Sequence, residues 1–316
     1  MASKPLYPTR RNVITALGVA GTALAVSPCA LKPWPLTARE IEILKKPIPS
    51  TGEQIPIVGM GSWITFNVGN DIEARNKRVR ILQTFFESGG ALVDSSPMYG
   101  SSEDVIGYCL KRLRNKQGLF SATKVWTYLR PLGIAQMKRS ERLWGEKPFD
   151  LLQIHNLMDW RTHLSTLLDW KAQGRVRYIG VTTSHGRRHS LTEKIIQTQP
   201  IDFVQFSYNI RDRAAEKRLL PAARERGLAV IINRPFRRGN LFGRTRGRPL
   251  PNWVGEFDCL NWAQFYLKFI VSHPAVTCAI PATSRVDHMQ QNIGALQGRL
   301  PDPDMRKHMI KYFENI

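Results

Sequence analysis

Three ionisable residues sit at the ends of short apolar or small-residue runs. Asp94 follows Ala91-Leu92-Val93, Lys124 follows Ala122-Thr123, and His155 follows Leu151-Leu152-Gln153-Ile154. A charge in such surroundings is costly unless it is paired. A carboxylate, an ammonium and an imidazole brought to one spot could pair with one another, and they are groups that move protons. Other chemistries lack their residues. Cys29, Cys109, Cys259 and Cys278 contain no CxxC pair, so neither a zinc ribbon nor a thioredoxin-type site is supported.

The elements that must position these residues alternate. Strand-length apolar runs fall at 55–61, 91–95, 119–125, 150–155, 176–182, 203–207, 228–233 and 276–281. Helix-length amphipathic stretches fall at 72–88, 101–114, 133–144, 161–173, 189–198, 213–226, 259–273 and 286–297. This alternation predicts parallel βαβ units. An open dinucleotide-binding sheet would carry G-x-G-x-x-G after its first strand. The turn here reads Gly59-Met60-Gly61-Ser62-Trp63 and lacks the third glycine. The expected fold is therefore α/β, a (β/α)₈ TIM barrel, with its site where strands end and βα loops begin. A barrel hydrolase would want paired carboxylates or a metal set there. Neither is evident, and no metal is expected. A long insert, Arg234 to Asp258, precedes the seventh helix candidate, and loops of that length are usually functional or disordered.

The 316 residues suffice for one such barrel, expected over 51–316 after an extended, Pro-rich linker at 31–50. Ahead of these, Arg10-Arg11 and the weakly apolar run Val13 to Val26 resemble a twin-arginine export leader spanning 1–30. The expected location is periplasmic or exported, through contact with the export machinery, with a cytoplasmic enzyme as the alternative. Removing 1–30 takes out Lys4, Arg10 and Arg11 and no acid, so most of the net charge of +21 belongs to the folded part. The cations are dispersed, and no nucleic-acid-reading motif accompanies them. A generally basic surface with weak attraction to acidic surfaces is expected, and no specific nucleic acid.

The segment Asp94-Ser95-Ser96-Pro97-Met98-Tyr99-Gly100 resembles the D-T-A-x-x-Y-G segment of the aldo-keto reductases. Ala122-Thr123-Lys124 and Gln153-Ile154-His155-Asn156 are similar to that family's lysine and histidine strands. Phe203 to Asn209 resembles its sixth strand, and Ile280 to Arg285 with Gln291-Asn292 its last βα loop. The resemblance runs from about residue 52 to 298. It implies reduction of a small-molecule aldehyde or ketone by NADPH (NADP⁺ in the reverse direction), with Asp94, Tyr99, Lys124 and His155 as the catalytic group. Tyr99 would protonate the carbonyl oxygen as charge develops there. A phenol has a pKa near 10. Lys124, held by Asp94, would lower it, and His155 would orient the carbonyl.

The resemblance also implies cofactor contacts. Gly61, Ser62 and Trp63 would meet the cofactor on the first loop, with Asp94 beneath. Thr182 and Gln205 would hold the carboxamide and Tyr208 would stack on the nicotinamide. Arg234, Phe236 and Gly239 would wrap the pyrophosphate, Ser284 and Arg285 would bind the 2′-phosphate, and Asn292 would reach the adenine. One departure stands out. The family often has Ser-Asn after the fifth strand, and this chain has Thr182-Thr183, which lacks the amide. Substrate choice would rest with Trp63, Trp126, His185 and the 234–258 insert. Plainer readings stay open: a structural Asp94–Lys124 pair, a packing Tyr99, a satisfied buried His155, and solvent-facing arginines. The corresponding rival functions are a non-catalytic NADPH-binding regulatory barrel and a polyanion binder.

Overall fold

The computed structural model describes residues 42–116 and 118–316. The expected leader lies outside the described residues, as does most of the expected linker. A hairpin comes first: β1 (Lys45–Pro47) pairs antiparallel with β2 (Gln54–Pro56). Eight parallel strands then follow in sequential order: β3 (Met60–Gly61), β4 (Leu92–Asp94), β5 (Phe120–Val125), β6 (Phe149–Ile154), β7 (Val176–Thr182), β8 (Phe203–Ser207), β9 (Ala229–Asn233) and β10 (Cys278–Ala279). Val58 bridges Ala279, and the amides of Gly59 and Gly61 donate to the carbonyls of Ala279 and Pro281 at 2.9 and 3.0 Å. These contacts bring the first strand to the last and nearly close the expected barrel.

The helices between the strands are α1 (Ile72–Glu87), α2 (Ser102–Leu110), α3 (Arg130–Trp144), α4 (Trp160–Ala172), α5 (His189–Thr198), α6 (Leu219–Glu225), α7 (Asn240–Thr245) and α8 (Trp262–Val271), and α9 (Val286–Ile293) and α10 (Pro303–Asn315) follow the last strand. Asp71, Asn261 and Asp302 cap α1, α8 and α10 by accepting from backbone amides three residues on, which satisfies donors that a helix start leaves free.

Successive strand side chains point to opposite faces, and this separates two apolar layers. Leu92, Phe120, Leu151, Tyr178, Phe203 and Ile231 gather inside the barrel, while Val93, Val125, Leu152, Ile179, Val204 and Ile232 pack outward with the helices. The same alternation, carried toward the C-terminal strand ends, makes Asp94, Lys124, Gln153, Gln205 and Asn233 the next inward residues. The interior thus turns from apolar to polar along the barrel.

Four expectations change in detail. The 55–61 run is split between the hairpin strand β2 and the barrel strand β3. The end of the expected linker is folded rather than extended. Lys46 anchors it by donating to the carbonyls of Val271, His273 and Val276 at 2.7, 3.0 and 2.7 Å. The 213–226 helix breaks at Arg218 into a 3₁₀ turn (Ala214–Lys217) and α6. Pro221 is the reason: it has no amide to donate, so it fits only in the first turn of a new helix. The 234–258 insert is folded, holding α7 and a 3₁₀ segment (Asn252–Phe257). As for Gly59, a Cβ there would lie 2.8 Å from the Leu92 carbonyl oxygen. This glycine serves close strand packing and is no remnant of a phosphate-binding turn.

Candidate active site

Strand ends and one turn assemble the expected group of four. Asp94 ends β4, Lys124 lies one residue from the end of β5, and His155 directly follows β6. Tyr99 closes the 3₁₀ turn Pro97–Tyr99, which Ser96 caps by accepting from the Met98 amide at 3.2 Å. Lys124 is fully buried, and its ammonium donates to Asp94 Oδ2 at 2.5 Å and to the Ser95 carbonyl at 2.7 Å. Asp94 Oδ1 accepts from Gln153 Nε2 at 3.2 Å and Gln205 Nε2 at 3.1 Å. The Lys124 ammonium lies 5.2 Å from the centre of the Tyr99 ring. The Tyr99 and His155 rings meet edge to face at 5.6 Å. His155 Nδ1 is 2.8 Å from Ser96 Oγ, so Nε2 is the ring nitrogen left for a ligand.

The electrostatics follow from burial. Burial, then the Asp94 charge, raises the Tyr99 phenol well above its ordinary value of 10. This departs from the expectation that Lys124 lowers it, because burial disfavours the phenolate and the Asp94 carboxylate adds to that. The result is a phenol that keeps its proton at neutral pH. Burial, then the nearby Lys124, holds His155 well below 6.5, so its imidazole is neutral. Burial also lowers the Lys124 ammonium, opposed by Asp94 and by Glu103. Glu103 was not anticipated; its buried carboxylate accepts from Thr123, Ser140 and Trp144 at 2.6, 2.9 and 3.3 Å.

A cavity of about 1140 Å³ opens at these strand ends, and Asp94, Tyr99 and His155 line it while Lys124 lies beneath. Gly61, Ser62 and Trp63 line it from the first loop, and Thr182 and Gln205 from β7 and β8. Arg234, Phe236, Gly239 and Asn292 also face it, as do Trp126 and His185. Tyr208 does not. It is buried on the outer side, where its hydroxyl donates to Glu216 and accepts from Arg306. Alternation accounts for this: Gln205 and Ser207 point inward, so Tyr208 must point out. Ser284 and Arg285 do not line the main cavity either. They form a second pocket with Lys77 and Arg80 of α1, and Arg285 is ion-paired with Asp287.

Asn233, the inward residue ending β9, is a site residue outside the expected set. Its amide nitrogen donates to the Thr183 carbonyl at 2.9 Å and to Gln205 Oε1 at 3.3 Å, and its Oδ1 accepts from Ser207 at 2.7 Å. It brings an amide to the place where Thr183 lacks one. Its signal was available in the period-two pattern of Ala229, Ile231 and Asn233. The rim of the cavity is strongly cationic, with Arg187, Arg188, Arg234 and Arg238 facing it. Arg238 stacks over Trp63 at 4.3 Å, tying the β9 loop to the β3 loop. Arg234 donates to His185 Nε2 at 2.5 Å, tying the β9 loop to the β7 loop. Several rim residues hold left-handed backbone, among them Ile64 (φ 64°), His185 (φ 63°), Arg188 (φ 58°) and Arg234 (φ 54°). Such strain in non-glycine residues is concentrated where function demands it.

This arrangement can donate a proton from a buried phenol, steady the charge left behind, and present a neutral imidazole beside it. The chain belongs to the Aldo/keto reductase family, whose sequence profile matches residues 57–311. It is similar to methylglyoxal reductase YeaE of Escherichia coli (strain K12), with 26% identity over 267 residues, 83% of this chain and 93% of the relative. The NADH-specific methylglyoxal reductase of the same organism is 28% identical over 319 aligned positions, 82% and 95% of the two chains. An aldo-keto reductase from Klebsiella pneumoniae, solved in complex with NADPH, shares the fold. Its TM-score is 0.70 at 20% identity, covering 86% of this chain and 96% of that one.

Proposed function

We propose that this chain reduces an aldehyde or ketone to an alcohol at the expense of NADPH. The observation that carries the reading is the buried Asp94–Lys124 pair, whose ammonium stands 5.2 Å from the Tyr99 ring at the floor of the cavity. The donor set suits a dinucleotide. Arg234 and Arg238 face the cavity without an ion-pair partner among the described residues, and guanidinium forks suit a pyrophosphate. Thr182, Gln205 and Asn233 offer hydroxyl and amide groups for a carboxamide. Ser284 and Arg285, joined by Lys77 and Arg80, suit a 2′-phosphate, which favours NADPH even though one relative is NADH-specific by name.

When bound, NADPH supplies the hydride. Tyr99 delivers its phenolic proton to the carbonyl oxygen as charge develops there. Lys124 stabilises the phenolate this leaves, and Asp94 keeps Lys124 charged against the cost of burial. His155, neutral and fixed by Ser96, directs the carbonyl oxygen toward Tyr99. The relatives named as methylglyoxal reductases make that small 2-oxoaldehyde the first substrate to assay. Purified protein is mixed with NADPH and a panel of aldehydes, and cofactor oxidation is followed. Carbonyl-dependent oxidation is expected. Tight NADPH binding without oxidation by any carbonyl would instead favour the non-catalytic regulatory barrel.

We also propose export by the twin-arginine route, supported by Arg10-Arg11 ahead of the Val13–Val26 run. Fractionation should find a shortened form outside the cytoplasm. A full-length cytoplasmic form alone would contradict this.

A further inference from the structure

The cavity holds more cation than the cofactor contacts above use. Arg187 and Arg188 come from the loop after β7, which borders the loop after β6 that begins with His155. Arg188 Nη1 donates to the carbonyl of Asn156, the residue after His155, at 2.7 Å. That bond ties its guanidinium to the loop that His155 begins. The Arg187 side chain has no hydrogen-bond or ion-pair partner among the described residues, and Arg188 has no carboxylate partner.

Nearby acids are already engaged. Asp94 is held by Lys124, Gln153 and Gln205. Asp159 accepts from the Leu129 amide at 2.9 Å and from Thr162 at 2.8 Å. Positive backbone angles at Arg188 (φ 58°) and its neighbour His185 (φ 63°) fix this loop in a conformation that bulky residues rarely adopt. The chain therefore keeps two arginines, unpaired with any acid, on the His155 side of the cavity. Ile64, Met98 and Tyr128 are exposed and line the same cavity.

The geometry points to Arg187 and Arg188 as an anion subsite for the substrate, so that the preferred substrate is a carbonyl compound also bearing a carboxylate or phosphate group. This rests on the reductase reading of the site. The same chemistry would suit a phosphate of the cofactor, and the experiment separates the two sources.

Two matched pairs serve as probes: 4-carboxybenzaldehyde against its methyl ester, and succinic semialdehyde against butanal. Wild-type enzyme with saturating NADPH is expected to favour the anionic member of each pair by about tenfold or more in kcat/KM, the scale of one or two charge-assisted hydrogen bonds. Added salt should shrink the preference. In Arg187→Gln/Arg188→Gln the preference should vanish through KM, with activity on the neutral members and NADPH affinity unchanged. Equal kcat/KM within each pair, or a preference that survives the double substitution, overturns the proposal. So does a weakened NADPH affinity with all carbonyls affected alike, which would assign the arginines to the cofactor. Turnover of no carbonyl, methylglyoxal included, by wild-type protein that binds NADPH refutes the underlying reductase reading, and the subsite with it.

Discussion

Lys124 places its ammonium 2.5 Å from Asp94 Oδ2 in a region where neither side chain meets solvent appreciably. Removing either partner leaves an uncompensated charge in the barrel. Lys124→Met and Asp94→Asn should each destabilise the fold by about 3–5 kcal/mol and lower kcat by roughly 10²–10⁴-fold. The double variant Asp94→Asn/Lys124→Met should recover much of the stability and none of the activity. Urea unfolding beside a turnover assay checks this, and single variants as stable as wild type would contradict the pairing argument.

Arg285 and Ser284 sit outside the main cavity, in the pocket they share with Lys77 and Arg80. If that pocket takes the 2′-phosphate, Arg285→Ala should raise the KM for NADPH by about tenfold, the loss of one charge-assisted bond. The KM for NADH, which has no such phosphate, should change little. Equal effects on both cofactors would remove the pocket from the cofactor site.

Two imidazoles predict how stability depends on pH. Burial, then Arg306, Lys46 and Arg224, lowers His273 to about 4, and burial with Lys124 holds His155 well below 6.5. In the unfolded chain both titrate near 6.5. Below that pH the unfolded state takes up protons that the folded state refuses. Stability is therefore full above about 6.5 and declines as the pH falls toward 4. His273→Asn should flatten the decline in urea midpoint between pH 7 and 5. An identical decline in wild type and variant would contradict the assignment.

Asp94, Lys124 and His155 were legible because each follows an apolar or small-residue run where a barrel strand ends, while Gln205 came only from the family resemblance. Asn233 obeys the same rule and could have been found by it. Tyr208 was misplaced because a motif match was followed where strand parity pointed outward. The break before α6 was legible in Pro221. The α1 side of the second pocket was not. Lys77 and Arg80 read as ordinary cations on a helix face, and only the packing of α1 beside the start of α9 brings them to Ser284 and Arg285. The direction of Arg187 and Arg188 was likewise hidden, since loops have no periodicity from which it can be read.

The central claim is that Tyr99 gives its proton to a carbonyl oxygen. Single-turnover oxidation of bound NADPH by a carbonyl that wild-type enzyme reduces, compared between wild type and Tyr99→Phe, tests it most directly. The account predicts a fall of roughly 10²–10⁴-fold in that rate, with NADPH affinity and folding unchanged. An unchanged oxidation rate in Tyr99→Phe would contradict it.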